Sequence, residues 1–253
     1  MRRQMRQPRV AEVVAARIRA RILNGELRDG DVLPPQDELI REVGSSTAST
    51  REAYRILETE RLITVRRGNE GGAIVHSPTE EVLAYLMTVV LQANGVSLQT
   101  IADAVRVIEP ACIAMCARRQ DRATEVVPVL ATLVTVQTDS LHDAASFGAA
   151  GRQFHEATVR LCGNRSLGVL VGAYERILTA HRGAWTSPTL PSDADHAAEM
   201  REGVLADHHR ILEAIIDGRA ERAELLTIAH LEHFQGLTIM ASDHRLDANL
   251  LHT

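Results

Sequence analysis

The sequence contains no lysine, so its positive charge comes entirely from 28 arginines, set against 33 Asp and Glu residues. It also lacks any run of about 18 uncharged apolar residues, which argues against a membrane-spanning helix. The first residues are basic, but residues 11–17 carry charges where a secretory signal peptide needs an apolar core. We therefore expect a cytoplasmic protein, and a length of 253 residues predicts two domains.

Motifs of catalysis are missing as well. No HExxH motif, nucleophile elbow or phosphate-binding loop occurs, which argues against an enzyme. The three cysteines lack zinc-finger spacing, and Cys112 and Cys116 lie one helical turn apart, which favours two buried thiols over a redox pair. Only seven aromatic residues are available for base stacking (three Phe, three Tyr and one Trp), which argues against a single-stranded RNA-binding module.

Charge is distributed unevenly along the chain. Residues 1–76 contain 14 Arg and 11 Asp or Glu, a net charge of +3, whereas the remainder contains 14 Arg and 22 acidic residues, a net charge of −8. The two values sum to the −5 of the whole chain. A basic N-terminal part joined to an acidic body predicts that only the first part meets a polyanion such as DNA.

Residues 1–77 show the pattern helix, helix, tight glycine turn, helix and β-hairpin. A first helix carries an apolar stripe and ends at Asn24-Gly25; the stripe consists of Val10, Val13, Val14, Ile18, Ile22 and Leu23. A second helix follows Pro34-Pro35 and ends at Gly44, and a third, capped by Ser45 or Ser46, buries Ala53, Ile56 and Leu57. Strands at 62–65 and 73–75 flank a glycine-rich turn. This layout predicts a winged helix-turn-helix, the alternative being a small α+β unit of no particular function.

The third helix and the hairpin tip supply the candidate DNA contacts. Small polar residues open the helix and allow close approach to a groove: Ser46, Thr47 and Ser49. Arg51 and Arg55 follow one turn apart, on the side away from the apolar stripe. The tip carries Arg66, Arg67 and Gly68, which suit phosphate or minor-groove contact.

These segments resemble the DNA-binding domain of the GntR family of regulators over about 65 residues. The resemblance rests on residues 33–39, 44–58 and 61–75, which follow the family's order of Leu-Pro helix, turn, Arg-Glu-Ala helix and glycine-rich wing. It implies a homodimeric transcription regulator, most often a repressor, on a palindromic double-stranded operator. Asp37 and Thr47 stand where fatty-acid-responsive members usually carry arginine, which implies a different operator sequence.

From residue 78 to residue 245 the pattern is entirely helical, so the predicted fold is mostly α, with 246–253 as a tail. Seven helices are predicted, at 79–93, 98–119, 122–138, 142–162, 165–182, 195–217 and 219–241. Gly183 to Asp195 forms the one long break. A bundle of this size can enclose a cavity, which is where bundles build ligand and metal sites.

Three of the eleven histidines stand out: His155, His208 and His230. His208 and His230 lie 22 residues apart on consecutive helices, a spacing that fits two helices folded back on each other with both imidazoles near one level. Spacing alone leaves open that these are three unrelated histidines with polar partners.

The second half also resembles the FCD ligand-binding domain of the FadR subfamily, over roughly residues 80–240. The resemblance rests on Arg106-x-x-Glu109-Pro110, Phe154-His155, Gly163-Asn164, His208-x-x-Ile211-Leu212 and His230-Leu231. It implies that the three histidines bind a divalent metal together with an Asp four residues before the first one. That position is Gly151, which has no side chain to coordinate a metal.

The missing carboxylate leaves two alternatives open. Three neutral imidazoles still suit Zn²⁺ with one open position, which water or an anionic effector could fill. Alternatively, the metal has been lost and the histidines line a polar pocket. The resemblance implies no organic cofactor, and it implies that Arg106 and Asn164 bind the effector, a small organic acid or acyl compound; the alternative role of Arg106 is a structural pair with Glu109.

A different class of function shares the same three-histidine signature. A zinc ion with three protein ligands and an open coordination position also occurs in metal-dependent hydrolases. The only acidic residue directly beside a candidate ligand is Glu156, which should point to another face of the helix. The regulator is therefore the leading hypothesis and the hydrolase is the alternative.

Overall fold

The computed structural model of the protein describes residues 9–66, 72–181, 194–239 and 245–251. The chain divides into two compact units, Met1–Val82 and Leu83–Thr253. The sequence placed this boundary after residue 77, a few residues earlier. Among the described residues, no helix combines the length and the apolar character needed to cross a membrane.

The first unit has the predicted winged helix-turn-helix order. Its elements are α1 (Val10–Leu23), α2 (Gln36–Val43), α3 (Thr47–Thr59), β1 (Ile63–Arg66) and β2 (Gly72–Val75). The two strands pair antiparallel, with Ile63 opposite Val75 and Arg66 opposite Gly72. Val32 adds one isolated bridge to Ile74, so the link before α2 runs alongside the wing.

The core of the first unit forms where α1 packs on α3, and it corrects the predicted stripe of α1. The buried positions are Ala11, Val14, Ala15, Ile18 and Ile22. Val10, Val13 and Leu23 are exposed, although the sequence assigned them to the same stripe. At 100° per residue Val13 and Leu23 lie across the helix from Ile18, so the alanines complete the buried face instead.

A glycine turn between α2 and α3 sets the start of α3. Gly44 has φ +68°, a left-handed conformation that a glycine adopts without steric cost. Ser46 then caps α3, its hydroxyl accepting a hydrogen bond from the Ser49 backbone N–H at 3.1 Å. This turn and cap fix the residue at which α3 begins, and Thr47 and Ala48 at its start are exposed.

The second unit is an all-helical bundle. Its helices are α4 (Glu80–Ala93), α5 (Leu98–Arg118), α6 (Arg122–Glu125), α7 (Val127–Asp139), α8 (Ala144–Leu161), α9 (Arg165–Ala180), α10 (Ala194–Ile216) and α11 (Ala220–Ile239). The predicted spans agree to within a few residues except at 122–138, which is split at Val126. Pro128 explains the break, because it has no N–H to continue the helical hydrogen bonds from α6. The predicted long break at Gly183–Asp195 lies largely outside the described residues.

The segment set aside as a tail is part of the packed bundle over residues 245–251. Arg245 forms an isolated β-bridge with Ser97, and Ala248–Leu251 forms a 3-10 helix. Leu246 is 2% exposed and belongs to a core cluster that includes Ala84, Leu98 and Ile177. The chain therefore returns to the bundle after α11.

Candidate metal centre and nucleic-acid interface

His155 on α8, His208 on α10 and His230 on α11 converge on one point in the second unit. Their Nε2 atoms are separated by 3.1 Å (His155 to His208), 3.3 Å (His208 to His230) and 3.3 Å (His155 to His230). His208 and His230 are buried and His155 is nearly so. Three nitrogen atoms this close can ligate a single ion, so the structure brings together all three residues singled out by the sequence.

The opposite nitrogen of each ring meets an acceptor from a second layer of residues. His155 Nδ1 contacts the Glu109 carboxylate, His208 Nδ1 lies 2.6 Å from Gln137 Oε1, and His230 Nδ1 lies 3.3 Å from Asp207 Oδ2. An imidazole that donates its Nδ1–H outward keeps the Nε2 lone pair facing inward, which is the tautomer that ligates a metal.

Burial sets the protonation of two of the rings. It lowers the pKa of His230 to about 4, and it lowers the pKa of His208 well below its usual value. Burial would also lower the pKa of His155, but the charge of Glu109 and its hydrogen bond outweigh that effect and raise it. His208 and His230 are therefore neutral at physiological pH, the form that binds a metal.

Position 151 faces the ring of His208, but a neighbouring amide fills the space that a side chain would need. A Cβ placed on Gly151 would lie 3.6 Å from His208 Cε1 and only 2.8 Å from Gln137 Nε2. Gln137 is 1% exposed, and its Nε2 has no hydrogen-bond partner. The site therefore offers three histidine ligands, an acceptor behind each ring and one buried donor without a partner. These features fit a metal ion with three protein ligands and one open coordination position.

Arg106 lies in a pocket between α5 and α11. Its Nη1 pairs with Asp103 at 3.1 Å, while Nε and Nη2 are buried without a partner. The pocket has a volume of about 280 Å³, and its other lining residues are Val107, Ile228, Leu231 and Glu232. The structural pair with Glu109 does not form, because that carboxylate turns to His155 instead. None of the three histidines lines this pocket.

Asn164 has a local structural role. It is exposed at the N-cap of α9, where its Oδ1 accepts hydrogen bonds from the backbone N–H groups of Ser166 at 3.1 Å and Leu167 at 3.4 Å. These bonds satisfy donors that a helix start leaves unpaired. The effector role that the resemblance implies for Asn164 stays a prediction.

The predicted DNA contacts of the first unit are presented on α3 and β1. Ser46, Thr47, Arg51 and Arg55 are exposed, and Ser49 is half-buried. Arg55 pairs with Glu52 at 3.3 Å, an exposed pair that water weakens. Arg66, at the end of β1, is also exposed, whereas Arg67 and Gly68 lie outside the described residues. An exposed helix start with a wing arginine is the arrangement that a winged domain uses on DNA.

Comparison with known families identifies both units. A model of the bacterial regulatory proteins of the gntR family matches residues 10–71, and a model of the FCD domain matches residues 100–233. The chain belongs to the GntR family. Its second unit is accordingly an FCD domain, and the three converging histidines lie within it.

Two curated relatives agree with this assignment, and one solved structure shares the fold. The HTH-type transcriptional regulator RmpR of Mycobacterium gastri is 26% identical over 227 residues, 87% of this chain and 77% of the relative. An uncharacterised HTH-type transcriptional regulator of Mycobacterium tuberculosis is 26% identical over 223 residues, 88% and 87% of the two chains. The fold matches that of Streptococcus agalactiae GntR with a TM-score of 0.60 at 22% identity, covering 87% of this chain and 96% of the other.

These comparisons decide between the classes of function left open by the sequence. The matching families and relatives are transcriptional regulators and not enzymes, so this GntR-family protein is a DNA-binding transcription regulator with an FCD domain. The hydrolase alternative is set aside. Glu156, the acid beside His155, pairs with Arg160 at 3.1 Å on α8.

Proposed function

We propose that this regulator represses transcription as a homodimer on a palindromic operator, and that a small organic acid or acyl effector changes its affinity for that operator. A divalent ion, Zn²⁺ by the chemistry of its ligands, is held by His155, His208 and His230. The observation that carries the metal part of the proposal is the convergence of three Nε2 atoms within 3.3 Å, each ring backed by an acceptor at Nδ1. The DNA-binding part rests on the winged helix-turn-helix of the first unit and its match to the gntR family.

The donor set favours zinc among the common divalent ions. Neutral imidazoles suit Zn²⁺, and three protein ligands with one open position is an established coordination set. When bound, the ion supplies a Lewis-acid position for an oxygen ligand. The residues of the chain hold the rings in the ligating tautomer and exclude bulk water by burial.

Arg106 is the proposed partner of the effector carboxylate. Its buried Nε and Nη2 donors lack acceptors in the protein, and a guanidinium pairs with a carboxylate through two parallel hydrogen bonds. Val107, Ile228 and Leu231 give the same pocket an apolar wall suited to a carbon chain. An effector that binds two conformations of the dimer unequally would shift the population that binds the operator.

The exposed face of α4 supports a homodimer. Leu86, Val89 and Val90 are 53%, 41% and 60% exposed in the single chain, on a helix with few charges after its first turn. A cluster of exposed apolar side chains marks an interaction surface, and two-fold symmetry would match a palindromic operator.

Elemental analysis of His208→Ala tests the metal. The wild-type protein is expected to carry about one zinc per chain and to lose thermal stability on chelation, because the ion binds only the folded state. His208→Ala should lose both the zinc and the effect of chelator. His209→Ala, an exposed neighbour on the same helix, is the matched control and should keep both. Full zinc content in His208→Ala would contradict the assignment.

A gel-shift titration tests the DNA-binding role. The wild-type protein should form a sequence-specific complex with DNA from its own promoter, and binding should weaken steeply with salt as phosphate counterions are released. Arg51→Ala should lose about 1–3 kcal/mol of specific binding, the range for one bidentate base contact. Arg222→Ala makes the same charge change in the second unit and should bind DNA like the wild type. An equal loss of specific DNA affinity in both variants would contradict a base contact by Arg51.

A further inference from the structure

We infer that Gln137 is a specificity-determining residue of the centre: its amide N–H donates to a carboxylate oxygen that occupies the fourth position of the three-histidine ion. The inference rests on the metal site proposed above and names the chemical class that fills it. The residue is on α7, which contributes no histidine to the cluster.

The orientation of the Gln137 amide is fixed by His208. Oε1 lies 2.6 Å from His208 Nδ1, which must donate if its Nε2 is to ligate the ion. A flipped amide would set N–H groups against that Nδ1–H, so the oxygen end faces the ring. Nε2, with two hydrogens, is therefore the end directed away from His208 Nδ1.

The donor end occupies the corner left by Gly151. Nε2 would lie 2.8 Å from a Cβ at that position, and that Cβ would lie 3.6 Å from His208 Cε1. Any side chain at 151 would thus compete with the amide for the space beside the ring. In this chain the corner holds a neutral hydrogen-bond donor and no carboxylate.

The donor end also lacks an acceptor. Gln137 is 1% exposed and its Nε2 has no partner, a state that is destabilising when nothing outside the protein supplies one. A carboxylate on the ion provides both a ligand oxygen for the metal and an acceptor for the N–H. Because position 151 carries no negative side chain, an anion entering the site meets one like charge fewer than it would beside an aspartate there, although the carboxylates of Glu109 and Asp207 remain behind the rings.

The test uses full-length protein loaded with Co²⁺, a spectroscopic substitute for Zn²⁺, and titrated with acetate. In the wild type, acetate should change the visible spectrum saturably. Gln137→Glu keeps an oxygen acceptor for His208 but replaces the N–H donor with a second oxygen. It should retain Co²⁺ and bind acetate about tenfold more weakly or worse, because the charge-assisted hydrogen bond is lost and a like charge is added.

Two further variants keep the result interpretable. Gln153→Glu makes the same chemical change at an exposed position two residues before His155 and should bind both Co²⁺ and acetate like the wild type. Gln137→Met removes acceptor and donor together and should weaken Co²⁺ as well as acetate binding.

Three outcomes would overturn the inference. The first is an unchanged acetate affinity in Gln137→Glu, and the second is loss of Co²⁺ from that variant although the acceptor is kept. The third is a wild-type Co²⁺ spectrum that acetate does not alter, which would leave water as the fourth ligand. A wild-type protein that binds neither Co²⁺ nor Zn²⁺ would overturn the metal site itself, and the inference with it.

Discussion

At the scale of single residues, the contact between Gly151 and Gln137 controls the geometry of the centre. The amide fits against α8 only because residue 151 has no Cβ, and the same amide holds the ring of His208. A single methyl group added at position 151 would therefore disturb the candidate ligand His208 by displacing Gln137.

Gly151→Ala should weaken zinc binding by about tenfold, the lower end of the effect of losing a partner behind a metal-bound histidine. The added Cβ would lie 2.8 Å from Gln137 Nε2 and force the amide from His208. Competition with a zinc chelator would measure the change. Gly148→Ala, one turn earlier on α8, meets only the flexible end of Arg152 at 3.4 Å and should bind zinc normally. Equal affinity in the two variants would contradict the mechanism.

Arg61 is the other residue with a local conformational constraint. Among the described residues it is the one non-glycine with positive φ, at +56°, two residues before β1. A side chain in this left-handed region costs about 1–2 kcal/mol.

Arg61→Gly should raise the free energy of unfolding of the first unit by about 1 kcal/mol relative to Arg61→Ala, because glycine adopts this φ without the Cβ clash. Chemical denaturation of the two variants measures the difference. The comparison with alanine removes any effect of losing the arginine side chain itself. If Arg61→Ala were as stable as Arg61→Gly, the strain would not be real.

The sequence could predict the three histidines but not the residues behind them. Helical spacing and family resemblance sufficed for His155, His208 and His230. Gln137 lies 71 residues from His208, so only tertiary packing reveals that pair. The helical i, i+3 rule offered Glu109 only as an alternative partner for Arg106, and its carboxylate instead contacts the ring of His155. Local rules fail where a buried polar group elsewhere requires a partner.

At the scale of elements, the C-terminal segment joins two helices that are distant in sequence. The Asp247 N–H donates to His181 Nε2 at 2.9 Å after α9, and the Ala248 N–H donates to Gln92 Oε1 at 3.0 Å on α4. Leu246 fills the core beneath these bonds. Periodicity could not predict this docking, because seven residues are too few to show a helical repeat.

Leu246→Ala should lower the stability of the second unit by about 2–4 kcal/mol, the usual range for truncating a buried leucine. Thermal or denaturant unfolding monitored by circular dichroism checks the value. Leu250 in the same segment is 50% exposed, so Leu250→Ala should change the free energy of unfolding by no more than about 0.5 kcal/mol. A similar small change in both variants would mean that the segment is not held in the core.

At the scale of the whole molecule, charge is distributed unevenly between the two units and the thiols lie in one of them. The net charge of +3 over residues 1–76 falls to +1 over the first unit, which also contains Glu80 and Glu81, and the second unit has 14 Arg and 20 acidic residues, a net charge of −6. An acidic second unit is therefore joined to a slightly basic DNA-binding unit. All three cysteines are free and buried in the second unit, within its largest core. The burial of Cys112 and Cys116 agrees with their helical spacing, and Cys162 packs in the same core.

The native thiols should react slowly with Ellman's reagent at pH 8. Burial raises the pKa of Cys112 and of Cys116 to about 12, so both thiols stay protonated there and the reactive thiolate is scarce. All three cysteines should react in guanidinium, which provides the reference for full labelling. Rapid stoichiometric labelling of the folded protein would contradict the packing of this core.

The Gly151–Gln137 contact also restricts how this chain could evolve. An acidic side chain introduced at 151 would meet the Gln137 amide, which lies 2.8 Å from the position of its Cβ, and loss of the glutamine would remove the acceptor of His208. Either change alone therefore disturbs the contact behind His208. The two positions are thus coupled, and the effect of a substitution at one depends on the residue at the other.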